Sequence, residues 1–191
     1  MKNRTLLHFA LYSIALNLLW AYVSTQLEYS ISPDRENPQG IITAGGFILI
    51  YTLSFFVFLP ATKKTSASFI AFFIGFAVTF LVATFGVPLI FVGIFETVPY
   101  LVDFVSSLVT SLAIVSIVRI FYSLNRKWLP VALTTIVAFG AAMLFFNFYP
   151  VEEFDRNDFK RIIHPLAAGY CLWQILTTIT IGQAIDFEKA V

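Results

Sequence analysis

Val87–Asp103, VPLIFVGIFETVPYLVD, lies within the longest stretch of the chain without a basic residue, which runs from Lys64 to Arg119. It holds the only two acids of that stretch, Glu96 and Asp103, together with Pro88 and Pro99. A proline inside a helix removes a hydrogen bond and crowds the preceding turn, so Pro88 opposes a straight continuation of the helix before it. Pro99 suits the first turn of the helix that follows. The stretch reads as a bent hairpin between two membrane helices, with both carboxyls near the outer face. Both flanking basic clusters read as cytoplasmic, so the chain between them crosses an even number of times. That leaves part of Pro88–Val98 as surplus apolar chain, lying in the outer interface or folding back partway into the bilayer.

Composition supports a membrane setting. Of 191 residues, 59% are hydrophobic, 22 are Phe and only 12% are charged, against about 25% charged in an ordinary soluble domain. The mean hydropathy is +0.84. A soluble fold of this size could not cover so much apolar surface, whereas a bilayer solvates it. The whole chain, 1–191, reads as a single transmembrane domain. The net charge of +1 gives no electrostatic footprint for nucleic acid. One cysteine, Cys171, excludes an intramolecular disulfide and a Cys-paired metal or redox motif. No cofactor and no metal set is assigned.

Outward from the hairpin, five breaks divide the chain into six spans, each near the roughly 20 residues needed to cross the hydrocarbon core. They fall at about Thr5–Leu27, Ile41–Pro60, Ser66–Val87, Pro99–Tyr122, Trp128–Tyr149 and His164–Ile185. Backbone polar groups in lipid must be satisfied within the segment, so these spans are helices. The expected fold is an all-α bundle of six transmembrane helices. Met1-Lys2-Asn3-Arg4 and the apolar run after it superficially resemble a signal peptide. That run is too long for an h-region and no A-x-A site follows, so it is expected to stay as the first span.

Eight of the 12 Lys and Arg fall on one side of this arrangement: Lys2, Arg4, Lys63, Lys64, Arg119, Arg126, Lys127 and Lys189. The positive-inside rule then puts both termini in the cytoplasm of a multi-pass cell-membrane protein. The outer loops, Glu28–Gly40 and Pro150–Ile163, carry most of the acids. Six spans with both termini inside, at this length, resemble the substrate-binding subunits of energy-coupling-factor vitamin transporters in architecture alone. No motif carries that likeness.

Intramembrane polar residues are scarce enough to be informative. Helical spacing puts Ser13, Asn17, Trp20 and Ser24 on one face of the first span. It groups Asp103, Ser107 and Thr110 in the fourth, and Tyr170, Gln174 and Thr177 in the sixth, with Cys171 and Thr178 beside them. Such stripes serve helix packing, with interhelical hydrogen bonds worth about 0.6 kcal/mol each. The sharper expectation is a polar cavity where spans one, four and six meet. Asp103, Asn17, Gln174, Ser107 and Tyr170 would then be the substrate-binding residues. Asp103 has a second explanation, because a carboxylate near a helix start is favourable in its own right. The third span offers a small-residue face, Ser68, Ala71, Gly75, Thr79 and Gly86, for packing or for a partner.

Catalytic signals are weak. G-x-S-x-G, H-E-x-x-H and the P-loop are all missing. Glu152-Glu153-Phe154-Asp155-Arg156 resembles the EExxxR pattern of intramembrane CAAX-type proteases, but it is one residue short and lies in a loop without the histidine motifs. His164 and Cys171 sit about two helical turns, or about 10 Å, apart and cannot form a nucleophile pair. His164 opens the sixth span beside the acidic outer loop, where an interfacial role is expected. Three function classes follow: a non-catalytic membrane subunit or interaction module, a small-solute binding or transport component, and a lipid-modifying enzyme. The partners expected are the lipid bilayer, a membrane protein or a second copy of the chain, and a small-molecule ligand.

Overall fold

A computed structural model of the chain describes residues 2–31, 41–90, 99–125, 128–148 and 165–186. All its main elements are helical. They are α1 (Lys2–Ile31), α2 (Ile41–Phe56), α3 (Ser66–Leu81), a short α4 (Val87–Ile90), α5 (Pro99–Phe121), α6 (Leu129–Phe148) and α7 (Pro165–Ala184). A 3-10 turn, Ala61–Lys63, precedes α3, and a π turn, Val82–Gly86, joins α3 to α4. The six long helices fall on the six apolar segments of the sequence. Three stretches are long and apolar enough to cross a membrane: Arg4–Leu27, Ser66–Gly86 and Leu101–Phe121. Ile42–Phe56 and Leu129–Ala141 are shorter apolar helices.

The central hairpin differs from its sequence reading at Pro88. Helical structure does not stop before this proline but runs through it to Ile90. The turn ahead of it widens: the Val87 N–H bonds the Val82 carbonyl, five residues back, in place of the usual four. A π turn loosens the helical register locally, and loosening is what a proline requires of the turn it follows. Residues 91–98, with Glu96, lie outside the described residues. So do residues 32–40 of the first outer loop, whose opening residues Glu28–Ile31 continue α1 beyond the expected end of the span, and the second outer loop with its four acids and His164.

The helices pack in a ring that follows chain order. α1 touches α2, α2 touches α3, α3 touches α5, α5 touches α6, α6 touches α7, and α7 returns to α1. α2 and α7 also meet, so α1, α2 and α7 form a triangle at one side of the ring. Apolar side chains also cover the outside of the bundle, while some buried positions are polar. On α1, Ser13, Asn17, Ser24 and Thr25 are fully buried, while Leu7, Leu11, Leu18 and Leu19 are exposed. On α3, Ile70, Ile74, Val78 and Leu81 face outward while Thr79 is buried. Water would penalise that distribution. Lipid favours it, because apolar side chains meet apolar tails while the buried polar ones are kept from them, bonding carbonyls of their own helix one turn back.

One end of the bundle, here called the basic end, carries Lys63 and Lys64. Lys63 Nζ donates to the Phe121 carbonyl at 2.8 Å and Lys64 Nζ to the Val57 carbonyl at 2.8 Å. Each ammonium thus caps the C-terminal carbonyls of a helix, where the helix dipole favours a cation. An antiparallel bridge joins Leu124 to Ile185, with Asn125 N–H on the Ala184 carbonyl and Asp186 N–H on that of Ser123. Thr65 opens α3 by accepting from the Ser68 N–H at 3.2 Å.

Above these ties the interior is aromatic. Tyr51, Phe55, Phe72 and Phe76 are buried and touch edge to face or stacked, with ring centroids 4.8–6.3 Å apart. Phe121 closes on Phe72 at 4.3 Å, and the Tyr122 hydroxyl donates to the Phe55 carbonyl. Phe9, Ile114, Val118 and Ile181 complete this core.

Candidate functional site

Most of the buried polar side chains among the described residues lie on α1, α2 and α7. α1 brings Ser13, Asn17 and Trp20, which recur at helical spacing. α7 brings Gln174, Thr177 and Thr178. α2 brings backbone carbonyls, bared to side-chain donors by the small residues near its start. Gln174 Nε2 donates to the Phe47 carbonyl at 2.8 Å, and Trp20 Nε1 donates to the Thr43 carbonyl at 3.1 Å. A Cβ at Gly46 would overlap the Trp20 indole. Glycine is therefore required there for α1 and α2 to approach. The Tyr51 hydroxyl lies 3.2 Å from the Thr177 hydroxyl.

Asn17 Nδ2 donates to the Ser13 carbonyl at 2.9 Å. Ser13 and Phe47 carbonyls can only accept, so both amide nitrogens must face them. The two amide oxygens therefore point elsewhere. Asn17 Oδ1 and Gln174 Oε1 are buried and accept no hydrogen bond among the described residues. Asn17 is 0% exposed and Gln174 4% exposed.

The antiparallel register of α1 and α7 sets these two amides at one level. At one side of them, a Cβ on Gly182 would lie 2.6 Å from the Phe9 ring. At the other, Ala21 packs in one cluster with Ala167 and Cys171. Stepping inward from the first contact pairs Ser13 with Thr178 and then Asn17 with Gln174. Two polar layers are thus enclosed between two apolar or small ones.

Of the other sequence-derived candidates, Tyr170 lies one turn from Gln174. Its half-buried ring packs on Phe47 and Phe80, with centroids 5.7 Å away in each case. Ser107 is buried on α5, and its carbonyl accepts from the Ser111 hydroxyl at 2.7 Å. Asp103 is half-buried on α5, without a hydrogen-bond partner among the described residues. The main neighbours of α5 are α3 and α6, not α1 or α7. The described contacts do not bring Asp103 or Ser107 to Asn17 and Gln174. The small residues of α3 divide: Gly75 turns inward onto Ile117 of α5, whereas Ala71 is exposed.

Sequence reasoning did not single out Gly46, Tyr51 or the Phe47 carbonyl. Gly46 beside Gly45 within an apolar helix was the available signal for a close approach. A groove of about 240 Å³ opens between α6 and α7 at the basic end. It is lined by Asn125, Leu129, Pro130, Leu133, Thr180, Gln183 and Ala184, and includes none of the sequence-derived candidates. No protein-family model, curated protein or solved structure matches the chain.

Proposed function

We propose that this is a six-span integral membrane protein with both termini in the cytoplasm, serving as a non-catalytic membrane subunit or interaction module. The observation that carries this reading is the closed interior of its basic half. Tyr51, Phe55, Phe72, Phe76 and Phe121 fill the space a solute would have to cross. Lysine caps and the Leu124–Ile185 bridge tie the helix ends below them. A body closed in this way suits a fixed scaffold that packs against partners through its outer helix faces. α3 is a natural face, since its membrane window is the least buried of the three long ones, at 17%.

A second reading is a small-solute binding component, and a specific observation favours it: the Asn17–Gln174 level, with Tyr170 one turn away. Solute would enter from the end opposite the lysines and stop above the aromatic core. Native mass spectrometry of protein extracted gently from its own membrane separates the two. A stoichiometric second polypeptide supports the subunit reading. A solitary chain carrying a small molecule that Gln174→Leu abolishes overturns it in favour of the pocket.

A further inference from the structure

We propose that Asn17 Oδ1 and Gln174 Oε1 share one small hydrogen-bond donor, a water or an ammonium-type cation, held between α1 and α7 inside the bundle. This goes beyond the scaffold reading and does not depend on it. Three observations converge on the site. Both side chains are more than nine-tenths buried. Both have their amide nitrogens committed to backbone carbonyls, which fixes where their oxygens face. Both stand at one level of adjacent helices, bracketed by the Phe9–Gly182 contact on one side and the Ala21–Cys171 cluster on the other.

Two orphaned amide acceptors within a membrane bundle carry a desolvation penalty that nothing in an apolar surrounding offsets. A donor with two hydrogens satisfies both at once, and buried waters in proteins do this for two to four polar partners. The amide donors at this level are already spent, and the unpartnered Thr178 hydroxyl lies one layer away from the two amide oxygens. The chemistry selected is therefore a neutral or cationic donor and not an anion.

The test is a double-mutant cycle on the full chain in lipid nanodiscs, read as Tm. Asn17→Leu and Gln174→Leu each remove one acceptor and leave the other with a donor half-satisfied. Each is expected to lower Tm by about 2–4 °C, part of it from the separate amide-to-carbonyl bond it gives up, and the double variant to lose clearly less than the sum of the two. Additive losses would overturn the proposal, because the oxygens would then be acting independently. Infrared spectra of protein labelled with 13C in its Asn and Gln side-chain carbonyls give a second readout that tolerates poor stability. Subtracting each variant's spectrum isolates the two bands. Both are expected at the position of hydrogen-bonded amides, and bands at the free-carbonyl position would sink the idea. Ammonium chloride against sodium chloride at equal ionic strength identifies the donor. A rise in Tm confined to the unmutated chain assigns ammonium, and equal Tm in both salts assigns water.

Discussion

The two halves of the bundle are held together by different means. In the basic half, rings pack on rings and helix ends are fastened by lysines and a backbone bridge. In the half above it, Trp20 of α1 and Gln174 of α7 donate to backbone carbonyls of α2, and the Tyr51 hydroxyl of α2 meets that of Thr177 of α7. Packing in lipid rests on contact alone, since apolar tails solvate a side chain as well as a core does. Interhelical hydrogen bonds add little energy each but fix which faces meet. The expectation is that the aromatic half supplies most of the stability and the polar half sets the register of the helices.

Four substitutions put that division at risk. The largest effect belongs to Gly46→Leu, which drives a side chain into the Trp20 ring and forces α1 off α2. A loss above about 3 kcal/mol is expected, because the Trp20 indole, held by its bond to the Thr43 carbonyl, has little room to give way. Membrane levels of the variant by immunoblot, with Gly45→Leu as the control, check it; nothing lies near a Cβ at Gly45. Phe55→Ala opens a cavity among four rings. The loss is expected at about 3 kcal/mol, the lower end for such a change, because in lipid the cavity remains while the transfer component largely vanishes. Denaturation in mixed micelles measures it, and a loss below that of Gln174→Leu would reverse the comparison of the two halves.

Gln174→Leu gives up the bond to the Phe47 carbonyl and is expected to cost about 1 kcal/mol. Proteolysis or crosslinking of the α2–α7 seam should register a change in helix placement larger than this energy alone suggests. Asp103→Asn is expected within about 0.5 kcal/mol of the parent, as for a surface change away from any network. Its half-buried carboxyl makes no bond among the described residues, so insertion and folding should be intact by membrane fractionation. Loss of the protein would instead make Asp103 structural.

Much of this arrangement is legible in the sequence, for a physical reason. A polar side chain on an apolar helix must face protein, so Ser13, Asn17 and Ser24 announce their buried face by spacing, as do Gln174 and Thr177. The six helical segments follow from apolar length alone. What spacing does not carry is the identity of neighbours. Phe47, Tyr51 and Phe55 look like any other apolar residues of α2, because lipid and core select the same chemistry. The approach of α1 to α7, and the placement of α5 against α3 and α6, depend on shape complementarity of such residues. The helical continuation from α3 through the π turn into α4, which contains Pro88, was hidden for a different reason. A proline signals a break, and only the backbone reveals that a π turn takes it up.

The most direct test of the proposed six-span topology is single-cysteine labelling in a Cys171→Ser background with a membrane-impermeant maleimide. Thr62→Cys reports the basic end, and Asn37→Cys and Asn157→Cys report the two outer loops. In intact cells, Asn37→Cys and Asn157→Cys should label while Thr62→Cys labels only after permeabilisation. Labelling of Thr62→Cys from outside, or opposite behaviour of the two outer positions, would contradict the arrangement.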